Sequence, residues 1–152
     1  MLSPLFILLS ASSALGALEP GFLAWITANK GADVATKLNR SDYDPVVGSF
    51  GGGPGPLTYR PIVLVHGRAN DAGQLALNRE SFIAAGWNGQ HVLATTYGVG
   101  NQPSNIVDRM TCNNVQQVRW MFESVIGYYN SSIDVMAYSM GSPIARKARI
   151  FD

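Results

Sequence analysis

The sequence is sparing with cysteine, histidine and charge, and it contains no long apolar run. Cys112 is the only cysteine among 152 residues, so no disulfide can close within the sequence. An unpaired thiol either finds a partner outside this sequence or packs as a small buried hydrophobe. Charged residues make up 14% of the chain and the formal net charge is +1, without a basic stripe or an acidic tail. That balance argues against nucleic acid and against strongly charged partners. No apolar stretch is long enough to span a bilayer comfortably. The glycine-rich segment 47–56 lacks the Lys-Ser/Thr ending of a phosphate-binding loop and reads as a connector. Glycine and aromatic residues are plentiful and spread along the chain, which argues against disorder. At this length one domain can bury a real apolar core.

Residues 1–17 read as a secretory signal peptide. Leu2, Leu5, Phe6, Ile7, Leu8 and Leu9 form an apolar run, and Ala14-Leu15-Gly16-Ala17 offers a small-residue cleavage site. A basic n-region is missing, and the alternative is a buried amphipathic start. Two glycosylation sequons, at Asn39 and Asn130, agree with an extracellular destination. Residues 18–60 are expected to hold an N-terminal helix, interrupted at Gly31, and the Gly/Pro-rich linker.

From Pro61 onward the pattern is regular. Ile62-Val63-Leu64-Val65 is a continuous apolar run, as expected for a strand buried on both faces. Asn70 and Asp71, with Gln74, can cap a helix that runs to about Ala85 and stops at Gly86. A strand over 92–97 follows. A helix over 106–128 presents Val115, Val118, Phe122, Val125 and Ile126 on one face. A strand over 133–137 and a helix from Ser142 complete the series. Alternating strands and helices imply a mostly parallel sheet with right-handed crossovers, with sites at the carboxyl ends of the strands.

Two motifs fall at such ends. Ala137-Tyr138-Ser139-Met140-Gly141 lies between a strand and a helix. Small residues two before and two after Ser139 allow the sharp turn on which a nucleophile is lifted above the sheet. The plain alternative makes Ser139 an ordinary helix cap. His66-Gly67-Arg68 follows the first core strand. There the backbone N–H of Arg68 can join that of Met140 in an oxyanion hole, with Gly67 allowing close approach. His66 reads better as a strand-end residue holding a loop by hydrogen bonds than as a general base.

The segments 61–67, 95–98 and 133–143 resemble the secreted class 2 lipases of nematodes, and are similar to small bacterial lipases with Ala at the first elbow position. The resemblance implies an α/β-hydrolase fold, a mostly parallel sheet with helices on both faces, here incomplete at the C-terminus. It further implies hydrolysis of triacylglycerols or shorter carboxylic esters, with no metal or organic cofactor and with transient contact at lipid interfaces. Carried over, Ser139 is the nucleophile, the Arg68 and Met140 N–H groups form the oxyanion hole, and His66, Gly67, Ala137 and Gly141 support the motifs.

One departure from the pattern matters. In this fold the chain order is Ser, then an acid, then His. His66 and His91 both precede Ser139, and the only acidic residue after it is Asp152. Residues 61–152 are therefore expected to be the first half of a hydrolase domain, with activity belonging to a longer protein. Two further readings stay open. One is a non-catalytic secreted protein that binds lipid or a partner; the other is thioesterase, amidase or acyltransferase chemistry on the same fold.

Overall fold

The computed structural model describes residues 16–43, 48–101 and 109–149. The apolar run of the expected signal peptide and Asp152 lie outside the described residues. Helix α1 (Pro20–Lys30) begins with proline at its first position, where no N–H is needed. At Gly31 the chain turns with φ 95°, a region that favours glycine, and α2 (Ala32–Asn39) follows. The interruption expected at Gly31 is thus a junction between two helices.

The linker is not wholly a connector. Ser49–Phe50 form a short strand, β1, which pairs antiparallel with β3 (Val92–Thr95). With only two residues among glycines it leaves no readable alternation. β3 ends two residues before the expected boundary, and β2 (Ile62–Val65) and β4 (Asp134–Ala137) lie near theirs. The sheet order is β1-β3-β2-β4, with β2, β3 and β4 parallel.

Helix α3 (Ala76–Ala84) enters through a 3-10 turn at Gly73–Leu75, where Asp71 Oδ1 accepts the Gln74 N–H at 3.0 Å. Helix α4 (Cys112–Tyr129) starts later than expected, because the Thr111 hydroxyl accepts the Asn114 N–H and sets the N-cap there. Helix α5 (Gly141–Ala148) leaves directly from the β4 turn. Cys112 is exposed, which corrects the buried-hydrophobe alternative.

Strand alternation divides the core in two. Val63, Val65 and Leu93 join Phe22, Ile26, Leu38, Phe122 and Ile144 on one face. Ile62, Leu64, Val92 and Ala94 join Leu75, with Phe82 and Trp87 of the α3 side, on the other. The connection through α3 runs from β2 to one neighbour, while α4 crosses back to the opposite neighbour. The helices accordingly pack on opposite faces, α4 through Phe122 on one and α3 through Phe82 on the other, and in such sheets sites form at the carboxyl ends of the strands.

Candidate active site

Ser139 follows β4 in the left-handed region at φ 52°. A side chain there costs about 1–2 kcal/mol of backbone strain, so the surrounding fold must hold it. The holding is local. Gly141 N–H donates to Tyr138 O and Ser142 N–H to Ser139 O, both at 3.0 Å, and the Ser142 hydroxyl donates to Ala137 O at 3.2 Å. Gly141 is required by space: a Cβ there would lie 2.7 Å from Val65 O and closer still to His66 O. Glycine therefore lets α5 start directly against the end of β2. Ser139 itself is exposed at the surface.

The 66–70 loop after β2 comes alongside. A Cβ on Gly67 would meet Ser139 Cβ at 3.1 Å and the Tyr138 ring at 3.0 Å. Arg68 is exposed and Ala69 takes φ 55°. Among the described residues no backbone carbonyl accepts the N–H of Arg68 or of Met140. The Met140 N–H thus lies next to Ser139 in sequence, and the Arg68 N–H follows Gly67, whose backbone packs against Ser139.

His66 is buried and fully engaged. Its Nδ1 donates to Gly67 O at 2.8 Å, and its Nε2 accepts the Tyr97 N–H at 3.0 Å. Gly67 O can only accept and an amide N–H can only donate, so these partners fix a neutral ring protonated at Nδ1. Tyr97 stacks on the ring at 3.9 Å and its hydroxyl donates to His66 O at 3.0 Å. Burial pushes the His66 pKa down to about 4; the Gly67 carbonyl opposes the shift and the Arg40 charge adds to it. A ring so engaged holds the loop and has no nitrogen left to take a proton from Ser139.

Tyr97 was not singled out by sequence reasoning. The available signal was a tyrosine at the end of a buried strand, since a buried phenol needs a polar partner. The loop after β3 is braced in turn. Arg40 Nη1 donates to Thr96 O at 2.7 Å and to Gly98 O at 2.8 Å. Gln117 accepts the Gly98 N–H at 3.1 Å and donates to Thr96 O at 3.0 Å. His91 lies in the 3-10 turn before β3, at the opposite end of the sheet, and burial lowers its pKa too.

A cavity of about 640 Å³ opens between α2, Gly98 and the start of α4, lined by Lys37, Asn114, Gln117 and Trp120; Ser139, Arg68 and Met140 do not line it. Among the described residues no group of three His, Cys, Asp or Glu side chains could hold a metal ion. No described helix is long and apolar enough to cross a membrane. Of the sequons, Asn130 is exposed at the C-cap of α4, whereas Asn39 is half-buried and its Oδ1 accepts the Leu18 N–H at 3.0 Å.

Residues 59–151 match the family model described as Lipase (class 2). No curated protein matches the chain.

Proposed function

This chain belongs to the class 2 lipase family, and from that premise we propose that it is the amino-terminal part of a secreted carboxylic ester hydrolase, a triacylglycerol lipase with Ser139 as nucleophile. The observation that carries the proposal is the strained Ser139 turn at φ 52° with the Gly67 backbone packed against it.

In the proposed reaction the Ser139 hydroxyl oxygen attacks the ester carbonyl carbon while a general base takes the hydroxyl proton. The carbonyl oxygen becomes an oxyanion and accepts hydrogen bonds from the Arg68 and Met140 N–H groups. Each such donor typically lowers the barrier by about 2.7–4 kcal/mol. Collapse expels the alcohol, which receives the proton from the base, and leaves an acyl ester on Ser139. Water then cleaves that ester by the same route in reverse. His66 is occupied and His91 is remote, so the base and its orienting acid belong, in this reading, to sequence that follows Asp152. The apolar amino-terminal run and the exposed Asn130 sequon support a secreted, glycosylated product.

The test uses the native transcript and the protein that it encodes. An acid and then a histidine beyond Asp152, with hydrolysis of emulsified triacylglycerol that Ser139→Ala reduces at least about a thousandfold, is the expected result. A stop codon directly after Asp152, or hydrolysis that survives Ser139→Ala, would reject the catalytic reading. The engagement of His66 and the remoteness of His91 would then favour a secreted lipid- or partner-binding protein.

A further inference from the structure

We propose that Tyr138 is a positioning residue, which ties the nucleophile turn to the far end of the oxyanion loop through Asn70. The inference rests on the ester-hydrolase reading and adds to it the means by which the second oxyanion donor is kept in place.

The loop 66–70 has two anchors. Its base is fixed by His66, whose ring and carbonyl are bonded to Tyr97. Its other end is fixed by Asn70, whose Nδ2 donates to the Tyr138 hydroxyl. Arg68 and Ala69 lie between these anchors, and Ala69 at φ 55° is in a conformation that does not persist unless its surroundings impose it. The Tyr138 ring covers the loop as well: a Cβ on Gly67 would sit 3.0 Å from its Cε2 and 3.3 Å from its Cζ. Gly67 thus leaves the space into which the ring settles.

Two features separate this role from ordinary core packing. Tyr138 is 39% exposed, so its hydroxyl adds little to the apolar core. It also directly precedes Ser139, so a bond from its side chain to Asn70 sets the distance between nucleophile and loop directly. Without the tether the Arg68 N–H is expected to sample positions away from the oxyanion, whereas the Met140 N–H, on the same turn as Ser139, stays in place. The loss should fall on the transition state, where the oxyanion exists, and spare ground-state binding.

The experiment compares the full-length protein with Tyr138→Phe, Asn70→Ala and the double variant, reading kcat and KM separately on p-nitrophenyl butyrate. A neutral hydrogen bond of ordinary strength predicts a kcat lower by about tenfold in each single variant, with KM changed less than about twofold. The double variant should be no slower than either single one, because all three lack the same bond. Unchanged kcat, multiplying losses in the double variant, or a change confined to KM would each overturn the proposal. A parent protein without hydrolysis that depends on Ser139 is a different failure: it removes the functional reading, and this inference falls with it.

Discussion

At His66 a residue type that suggests proton transfer serves as scaffold. Its pKa near 4 lies below the ordinary 6.5 because burial disfavours the charged ring. The unfolded chain therefore binds a proton at this residue below pH 6.5, while the folded chain refuses it until about pH 4. The resulting stabilisation is complete above pH 6.5 and is lost as the pH falls toward 4, by at most about 3 kcal/mol. Stability measured by urea unfolding is thus expected to drop between pH 7 and pH 5, and His66→Gln should flatten that drop. His91 is also held below its ordinary value by burial and keeps a slope of the same sign in the variant. An identical pH dependence in both proteins would show that His66 is not the group refusing the proton.

Among elements, the contact of α5 with the end of β2 is the tightest approach near Ser139. Substituting Gly141→Ala, at the first position of α5, should gain less than the helix propensity of about 0.8–1 kcal/mol expected in a helix interior. The added Cβ would, however, lie 2.7 Å from Val65 O and closer to His66 O, and backbone atoms cannot swing aside. Overpacking of this kind costs about 1–3 kcal/mol or more, so the steric effect wins and the variant is expected to unfold at lower urea. A variant as stable as the parent would refute the close approach.

The same contact shows what was readable beforehand. The small residue two after Ser139 is visible in the motif, and so are the buried run of β2, the apolar face of α4 and the helix break at Gly31. Their signals are local, being periodicity, breakers and caps. The two-residue β1 gave no local signal, because its pairing with β3 joins Ser49 to Thr95 and Phe50 to Ala94, far apart in the chain. The bracing of the site by Arg40, Tyr97 and Gln117 was hidden for the same reason. Each acts through backbone groups of a loop distant in sequence, and no spacing rule marks such partners. The start of α4 was misplaced because the apolar pattern was extended past the Thr111 cap.

At the scale of the whole molecule the sheet is unevenly covered. Every residue of β2 and β3 is buried, whereas all four of β4 are half-buried, and β4 stands at one end of the described sheet. Its inner edge pairs with β2; its outer edge presents backbone donors and acceptors beside Val135 and Met136. Such an edge is a template for pairing with another strand. The opposite end is better guarded, since β1 is very short and joins the bridge between Leu18 and Gly51 through the next residue. The 152-residue chain produced alone is therefore expected to self-associate through β4, with a sedimentation coefficient that rises with concentration. Val135→Lys, which places a charge on the half-buried strand, should lower that tendency. If the isolated chain instead remains monomeric at high concentration, the β4 edge needs no partner, and this domain is more self-sufficient than its burial pattern implies.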